Sequence, residues 1–370
     1  MKRLLCIVDS MNVGGAETFM MKLYRQFDRE KYQLDFIVSE RGAYALEIEA
    51  LGGKIHVVPP RTKQCFQAFK EIKKIVKENN YKYILKLASS PKAVFDLSAA
   101  KAGGAEIMSV RSCNASTDES FIKRLFDFIC RPFFRKIISV KIAPSDLAAK
   151  YTFGKKAYRR GEVHILHNAL DLNVYSFDEQ TRNHIRKEFS ISDNVRVIGH
   201  VGRFSKQKNH TFLLDIFSEI HKKNPDTVLM LVGKGELEDK IKEKIKALNL
   251  EDNVIFTGVR SDIPALLSAM DVFVFPSFYE GMPNTVIEAQ ATGLPCLIAD
   301  TITKEANVTG LVRYMPLKAP EEWAKEALNM ISDTRMQTKK IMIENGYDIE
   351  SVSKEFVRLV FGDNEEITEN

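Results

Sequence analysis

The chain has 370 residues, of which 45% are hydrophobic and 28% are charged, a length that suits two ordinary domains or one large one. The composition is that of a soluble globular protein and excludes the disordered, collagen-like and disulfide-scaffold classes. The longest uncharged run, residues 289–299, is shorter than the roughly 20 apolar residues that span a bilayer. The five cysteines show no metal-ligand spacing, which predicts reduced thiols and a cytoplasmic protein.

The net charge of +5 is unevenly divided along the chain. Residues 1–165 hold 30 Lys and Arg against 17 Asp and Glu, whereas the rest of the chain holds 24 against 32. The first half is therefore expected to face an anionic surface, and the second is not. Drift in surface composition is the alternative explanation.

Short apolar runs in the first half alternate with helix-like stretches such as Ala16–Phe27 and Gln67–Lys77. This alternation predicts a parallel sheet covered on both faces. The predicted strands are Leu4–Val8, Leu34–Val38, Ile55–Val58, Tyr83–Leu87, Ile107–Val110, Ile138–Ala143 and Val163–Leu166.

The same alternation restarts after a polar stretch at residues 168–194 and favours two doubly wound α/β domains over a single barrel. The acidic tail from residue 362 is expected to fray. The predicted strands of the second half are Val195–Val201, Val228–Val232, Val254–Phe256, Val272–Phe275 and Pro295–Ile298. The predicted helices are Thr211–His221, Leu237–Leu248, Ile263–Ala269 and Asn284–Thr292.

Several motifs of metal and nucleotide chemistry are missing from the sequence. There is no GxxxxGK[ST], Asp-x-Asp, HExxH or GxSxG, and Gly233-Lys234-Gly235 lacks the third glycine of a dinucleotide fingerprint. We therefore expect no metal and no cofactor. A bound diphosphate would have to be neutralised by backbone amides and cationic side chains.

Two places in the chain offer such groups. Gly14 and Gly15 follow the first strand, where glycine lets backbone amides approach a phosphate, although an ordinary tight turn is the alternative. Gly202 ends the first strand of the second half and is followed by Arg203 and Lys208. Cations at that position converge on the crevice of a doubly wound sheet.

Residues 276–288 are the most informative segment. Pro283 is predicted at the first position of a helix whose open N-terminus binds an anion, with Glu280 at its lip. Glu288 lies more than a turn into that helix, where a carboxylate needs partners such as sugar or ribose hydroxyls. Two solvated glutamates on a surface helix are the alternative, which the apolar flanking residues disfavour. The amides left open are those of Asn284, Thr285 and Val286.

Glu280 and Glu288 form a Glu-x7-Glu motif, and other motifs accompany it in a fixed order. Together they make the chain resemble the retaining family-4 glycosyltransferases over nearly its whole length, and residues 276–295 are most similar to the bacterial exopolysaccharide and capsule branch. The accompanying motifs are Gly14–Glu17, Asn168–Asp171, Gly202–Arg203 with Lys208, Val232–Gly235 and Gly258–Arg260.

The resemblance implies the α/β fold called GT-B, in which two facing Rossmann-like doubly wound domains enclose an interdomain cleft. Residues 1–165 would form the N-terminal, acceptor-binding domain. Residues 166–345 would form the C-terminal domain, which binds the nucleotide-sugar donor. Residues 346–370 would form a helix that packs back on the N-terminal domain, followed by the acidic tail.

The resemblance also assigns roles to residues. Arg203 and Lys208 would bind the donor diphosphate and stabilise its departure, Glu280 would contact hydroxyls of the donor sugar, and Glu288 would contact the ribose. Residues Val259 and Arg260 would flank the base. The other substrate-binding residues would be Gly14, Gly15, Gly202, Gly233, Gly281, Met282, Pro283, Asn284 and Thr285.

One feature of the family is missing. Relatives usually carry a His after the middle strands of the N-terminal domain, but residues 85–90 and 111–116 contain none. No general base is therefore assigned, and Arg111 and Asn114 are the predicted acceptor contacts. Retaining transfer in this family is thought to proceed by front-face attack, in which the leaving phosphate helps to take the acceptor proton.

The implied function is transfer of a sugar from a nucleotide-sugar donor, expected to be UDP-linked, to a glycan acceptor, expected to be lipid-linked, for a cell-surface polysaccharide. A non-catalytic GT-B subunit that partners an active transferase is the alternative. A nucleic-acid-binding protein is disfavoured, because the chain has no recognised RNA or DNA module.

Two basic helices with aromatic residues, Gln67–Lys77 and Phe121–Ile138, could place the first half on an anionic membrane. The protein would then be cytoplasmic and peripheral on the inner face of the cell membrane. Amphipathic helices that pack on the sheet are the alternative.

Overall fold

The computed structural model describes residues 1–12, 14–88, 90–113 and 121–363, without the side chains of residues 121–128. The chain divides into two compact units. The first comprises Met1–Ala169 together with Gly346–Asn370, and the second comprises Leu170–Asn345. The chain therefore leaves the first unit once and returns to it near its end.

The first unit is built on a seven-stranded sheet with the order β3-β2-β1-β4-β5-β6-β7, in which every pairing is parallel. Parallel strands need crossover connections, which the intervening helices supply. The strands are β1 Lys2–Ile7, β2 Tyr32–Val38, β3 Ile55–Val57, β4 Tyr83–Ala88, β5 Ile107–Ser112, β6 Val140–Ala143 and β7 His164–Ile165.

The helices of the first unit cover both faces of this sheet. The side chains of β4 show the two faces, since Ile84 and Ala88 belong to one apolar cluster and Leu85 and Leu87 to the other. The helices are α1 Gly15–Gln26, α2 Ala45–Ala50, α3 Cys65–Glu78, α4 Val94–Ala102, α5 Phe121–Ile137, α6 Asp146–Thr152 and α7 Lys155–Arg159.

The second unit has a six-stranded sheet with the order β10-β9-β8-β11-β12-β13, again with only parallel pairings. Its strands are β8 Arg196–Val201, β9 Thr227–Val232, β10 Val254–Gly258, β11 Val272–Phe275, β12 Cys296–Ala299 and β13 Val312–Met315. Its helices are α8 Glu179–Glu188, α9 His210–Lys223, α10 Glu238–Ala247, α11 Ile263–Ala269, α12 Asn284–Ala291, α13 Pro320–Met330 and α14 Lys339–Glu344.

The last helix, α15 Ile349–Phe361, returns to the first unit. It packs beside α1, and the ring of Phe361 lies 4.8 Å from that of Tyr32. Asp363, which follows the helix, accepts a hydrogen bond from the Tyr32 hydroxyl (2.8 Å) and pairs with Lys2. Residues 362 and 363, the first two of the tail that was expected to fray, are thus held against the first unit. Residues 364–370 lie outside the described residues.

The prediction of two doubly wound α/β domains is confirmed. Helix α8 lies in the polar stretch at residues 168–194, for which the sequence predicted no element. Two of its arginines, Arg182 and Arg186, each donate to one oxygen of the buried Asp271 carboxylate at 2.7 Å. Within the described part of the chain, no helix has the length and apolarity needed to cross a membrane.

Candidate functional site

Gly202, Arg203 and Lys208 follow β8 and Glu280 follows β11, the two strands between which the order of the second sheet reverses, whereas Val259 and Arg260 follow the edge strand β10. Ligands of doubly wound sheets bind at such switch points, beyond the carboxyl ends of the strands. Hydrogen bonds join the loops that follow β8 and β11. The Phe278 backbone amide donates to the Gln207 carbonyl (2.9 Å), and the Gln207 side-chain amide donates to the Tyr279 carbonyl (2.9 Å). The Asn209 side chain donates to the Pro276 carbonyl (3.1 Å). The two loops at the switch point are therefore held together by hydrogen bonds.

An ion pair between Lys208 and Glu280 joins the same two loops. The Lys208 Nζ donates to Glu280 Oε1 at 2.8 Å and lies 4.5 Å from the centre of the Phe275 ring. The two side chains are only 16% and 10% exposed. A charge-assisted hydrogen bond of this kind in a partly dry position fixes both groups. An ammonium and a carboxylate are thus held at the point where a charged ligand would enter.

Gly202 and Gly233 allow backbone segments to approach one another closely near this ion pair. Gly233 has a φ of +134°, and a Cβ there would come within 2.2 Å of the Gly202 carbonyl oxygen. The Gly202 amide donates to Val232 (3.0 Å), and the Gly233 amide donates to Gly258 (2.9 Å). The loops after β8, β9 and β10 therefore meet through close backbone contacts that a side chain would break.

Arg203 lies at the surface of the second unit rather than in the ion pair. Its side chain is 74% exposed, and its Nε donates to Glu236 at 3.1 Å. An exposed pair of this kind is worth little energy, so a ligand anion can displace Glu236 at small cost.

The start of α12 differs from the prediction by one residue. Pro283 is the N-cap and Asn284 is the first helical residue, so the assignment of Pro283 to the first helical position was wrong. The Val286 amide, predicted to be open, donates to the Pro283 carbonyl (3.0 Å), because that carbonyl already accepts the first intrahelical bonds. Gly281 is exposed, and a Cβ added to it would meet open space. The residues beside it that are half-buried are Met282, Asn284 and Thr285.

Glu288 has a partner that sequence reasoning missed. The Tyr175 hydroxyl hydrogen-bonds to the Glu288 carboxylate, and burial followed by that negative charge raises the pKa of Tyr175. Tyr175 lies in the polar stretch at residues 168–194, where only its aromatic character could have drawn attention. A neutral hydroxyl therefore orients the second glutamate of the motif.

The predicted base-flanking residues follow β10. Val259 is 75% exposed. The Arg260 guanidinium is already shared between Glu188 (2.7 Å) and Asp262 (2.7 Å), and those carboxylates raise its pKa. Val259 therefore exposes an apolar side chain to solvent, whereas Arg260 is paired with two carboxylates of its own unit.

Two histidines lie buried beneath the ion pair. His200 Nδ1 donates to the Val274 carbonyl at 2.9 Å, and burial lowers its pKa well below the usual value. Burial, aided by the nearby Lys208 charge, lowers the pKa of His210 to about 4. The floor of the site is therefore uncharged at neutral pH.

The remaining predicted residues belong to the first unit. Gly14–Gly15 forms the start of α1, with the Gly14 carbonyl accepting from the Thr18 amide (2.8 Å). Arg111 is 1% exposed, donates to Asn168 (2.6 Å), and lies 4.1 Å from the centre of the Phe19 ring, and burial lowers its pKa to about 10. Asn114 lies outside the described residues. Among those described, no group of three or more His, Cys, Asp or Glu is arranged to hold a metal ion.

The chain matches known proteins both over the second unit and over nearly its whole length. A sequence profile of the family described as Glycosyl transferases group 1 matches residues 195–333, which include the whole switch point. The putative glycosyltransferase EpsF of Bacillus subtilis is 33% identical over 359 residues, covering 94% of this chain and 93% of EpsF. The chain belongs to the group 1 glycosyltransferases. The resemblance to family 4 is thereby confirmed.

Other relatives of this glycosyltransferase match over different lengths. An Escherichia coli enzyme named UDP-Gal:alpha-D-GlcNAc-diphosphoundecaprenol alpha-1,3-galactosyltransferase is 35% identical over 142 residues, 38% of this chain and 37% of that enzyme. The crystal structure of Anabaena HepE in complex with UDP-glucose aligns with a TM-score of 0.77 over 98% of this chain and 100% of HepE, at 20% identity. At that identity the similarity shows the fold alone, and the fold is GT-B.

Proposed function

We propose that this glycosyltransferase moves a sugar from a nucleotide-sugar donor, a UDP-sugar, to a glycan acceptor with retention of configuration. The observation that carries the proposal is the Lys208–Glu280 pair, held at 2.8 Å over an uncharged floor at the switch point of the second sheet. A diphosphate needs a cation at this position, and a sugar needs a hydrogen-bond acceptor beside it. The pair supplies both.

Each predicted donor residue then has a separate task. Lys208 and Arg203 bind the diphosphate, and their charge stabilises it as the leaving group. Glu280 accepts hydrogen bonds from hydroxyls of the donor sugar, and Glu288, oriented by Tyr175, accepts those of the ribose. The exposed Val259 packs against the base.

In the transfer step, the bond between the sugar C1 and the diphosphate oxygen breaks as a bond from C1 to an acceptor hydroxyl oxygen forms on the same face. The acceptor proton passes to the departing phosphate, so this chain needs no side-chain base for the step. The anomeric configuration of the product, measured by NMR, tests retention. An inverted anomer would exclude this route.

The donor base and the acceptor are proposed from relatives. The printed name of the E. coli enzyme contains a UDP-linked donor and a diphosphoundecaprenol acceptor, and HepE is seen with UDP-glucose. These names support a UDP-sugar, a lipid-linked glycan acceptor and a role in cell-surface polysaccharide synthesis. Gly14–Gly15 and Arg111, which lie in the first unit, are kept as proposed substrate contacts of that unit.

A thermal-shift panel with UDP, GDP and ADP tests the donor. A ligand that binds the native protein raises its Tm in proportion to the logarithm of concentration over Kd. UDP is expected to raise the Tm, and GDP and ADP to raise it less. Equal shifts by all three nucleotides, or no shift by UDP, would exclude a UDP-specific donor site.

We further propose that the first unit docks on the anionic inner face of the cell membrane, and the structure changes which residues would do so. The predicted apolar face of α3 packs in the core, because Ile72 and Val76 are fully buried. Exposed apolar side chains lie instead at Phe66, Ile129 and Phe133, which are 88%, 57% and 66% exposed. Helices α3, α4 and α5 pack together on one face of the first sheet. The exposed lysines of α3 are Lys70, Lys73, Lys74 and Lys77.

Flotation with vesicles containing anionic lipid tests this docking. Wild-type protein is expected to float at low salt and to be released by high salt, since surface attraction is screened. Phe66→Ser combined with Phe133→Ser is expected to abolish flotation. Leu46→Ser is the matched control, because Leu46 is 80% exposed on α2, which packs on the opposite face of the sheet.

A further inference from the structure

The first unit has a cavity of its own, of about 680 Å³, beyond the carboxyl ends of β1 and β4. These strands are neighbours at the point where the order of the first sheet reverses, so the cavity occupies the position at which doubly wound sheets bind ligands. Its volume is in the range of pockets that enclose a small organic molecule. All of its lining residues lie between Asp9 and Asp96, within the first unit.

A buried ionic cluster forms one wall of this cavity. Lys86 Nζ lies 2.8 Å from Asp96 Oδ2, and Arg61 Nε lies 3.2 Å from the same oxygen. The side chains of Lys86, Asp96 and Arg61 are 9%, 11% and 14% exposed. Arg61 also donates to Asp9 at 2.5 Å, but the Asp9 side chain is 88% exposed. Two buried cations therefore share one buried carboxylate.

A lysine is unusual at this place in the sheet. Lys86 lies on β4 between Ile84 and Ala88, and these two neighbours pack in an apolar cluster. Lysine is seldom buried unless it is paired, and a buried ion pair is often no more stabilising than apolar side chains of equal volume. Three cations line the cavity against two carboxylates, and an anionic ligand would balance this excess positive charge. The cations are Arg61, Lys86 and Lys92, and the carboxylates are those of Asp9 and Asp96.

The rest of the lining is partly apolar and partly polar. The apolar part is formed by Ala68, Phe69, Leu87, Ala88, Ala93 and Phe95, and the polar part includes Thr62, Ser90 and Lys92. A ligand that matches the whole cavity has an anionic group at the cations and an apolar or ring-shaped body along the aromatic side chains. Phosphate esters of lipids and of sugars have this chemistry.

We propose that this cavity binds a phosphate ester, with Arg61 and Lys86 contacting the phosphate and Asp96 holding both cations in place. The phosphate replaces Asp9 as the partner of Arg61. The proposal rests on the proposed function for one point only, that the ester is the lipid diphosphate carrying the acceptor glycan.

Cys65 provides a local reporter of occupancy. It is exposed and lines the cavity, whereas Cys6, Cys130 and Cys296 are buried and Cys113 is half-buried. The rate at which a thiol reagent labels Cys65, located by mass spectrometry, should fall when the cavity is filled. The probes are farnesyl diphosphate, inorganic pyrophosphate and farnesol, each with the full chain and saturating UDP, so that the switch point of the second unit is already occupied.

Farnesyl diphosphate is expected to protect Cys65, and farnesol is not. Equal protection by pyrophosphate would identify a free anion as the natural ligand, and stronger protection by farnesyl diphosphate would identify the lipid ester. Protection by farnesol alone, or by none of the probes, would overturn the proposal. Failure of UDP to bind in the same samples would contradict the proposed function, whatever the result for the cavity.

Two variants and a matched control test the roles of Lys86 and Asp9. Lys86→Met should weaken protection by at least about 10-fold in ligand concentration, because a charge-assisted contact to phosphate is lost. Asp9→Asn should strengthen it several-fold, since the competing carboxylate of Arg61 is removed from an exposed position where folding is unaffected. Lys82→Met is the matched control, because Lys82 pairs at the surface with Glu106 (2.6 Å). Equal effects of Lys86→Met and Lys82→Met, or weaker binding by Asp9→Asn, would contradict the assignment.

Discussion

The two units carry the same kind of sheet, yet charge is arranged differently at their switch points. In the second unit one lysine meets one glutamate, Lys208 and Glu280, above two buried histidines that are uncharged. In the first unit two buried cations, Arg61 and Lys86, share the single buried carboxylate of Asp96. The ion pair of the second unit is balanced, whereas the cavity of the first unit is lined by three cations and two carboxylates.

Under the two proposals, the fold sets the position of each site and the side chains set the chemistry of its ligand. A balanced pair suits a ligand that brings both a diphosphate and sugar hydroxyls, because the lysine and the glutamate each find a partner. An excess cation beside partly apolar walls suits a phosphate on an apolar body. The following variants separate the two sites.

The largest effect is expected for Glu280→Gln, which keeps the shape of the side chain and removes its charge. Donor sugar hydroxyls lose their carboxylate acceptor, and transfer should fall by about 1,000-fold, within the range seen when a preorganised polar group is removed from an active site. The Tm should fall only slightly, because the glutamine still accepts a hydrogen bond from Lys208 although the ion pair is lost. Initial rates of sugar transfer measure the loss. Near-normal rates would remove Glu280 from the site.

Arg203→Ala should lower transfer by about 100-fold, because one of the cations on the leaving diphosphate is lost. The side chain is 74% exposed, so the Tm should not change. Glu236→Gln is its control. It removes only the exposed partner of Arg203 and should leave transfer within about 2-fold of the wild-type rate. Equal losses in both variants would mean that the surface pair, and not the ligand contact, matters.

The buried, uncharged histidines beneath the Lys208–Glu280 pair predict that the free energy of unfolding depends on pH. The pKa of His210 is about 4 in the folded protein and about 6.5 in the unfolded chain, so the unfolded chain binds more protons between these values. Stability is therefore full above pH 6.5 and is lost as the pH falls toward 4, by about 2 kcal/mol between pH 7 and pH 5.

His210→Phe tests this dependence, because a phenyl ring fills the site without taking up a proton. Denaturant unfolding at both pH values should show a smaller difference between pH 7 and pH 5 in the variant than in the wild type. Parallel pH profiles for the two proteins would show that His210 is not the group responsible.

Tyr175→Phe should have the smallest effect. The hydroxyl contacts Glu288 and not the ligand, so its loss loosens the ribose contact and raises the KM for the donor by about 5-fold, with kcat little changed. Steady-state kinetics at varied donor concentration separate the two constants. A fall in kcat at constant KM would place Tyr175 in the chemical step instead.

Much of the fold follows from the sequence because apolar runs of parallel strands are hard to miss. The strands around Leu4, Tyr83, Val195 and Val272 were predicted within one or two residues. Helix α8 was missed because it is polar on most sides and is held by Arg182 and other arginines that reach a distant aspartate, a contact that no local pattern reveals.

The residues of the candidate site were likewise predicted only in part. Lys208 and Glu280 are 72 positions apart, and the sequence motifs placed both near one ligand, as their hydrogen bond now supports. The contact of Tyr175 with Glu288 and the cluster around Lys86 were not foreseen, since each depends on which side chains tertiary packing brings together. Residues 85–90 drew attention only for lacking a histidine, although they contain the buried lysine.

The most direct test of the central claim is the affinity for UDP, measured by isothermal titration calorimetry in matched lysine variants of the two units. Lys208→Met should weaken UDP binding by at least about 10-fold, since a charge-assisted contact to the diphosphate is lost. Lys86→Met in the first unit and the exposed Lys206→Met in the second should each stay within about 2-fold of wild type. Unchanged affinity in Lys208→Met, or an equal loss in Lys86→Met, would contradict the assignment of the donor to the switch point of the second sheet.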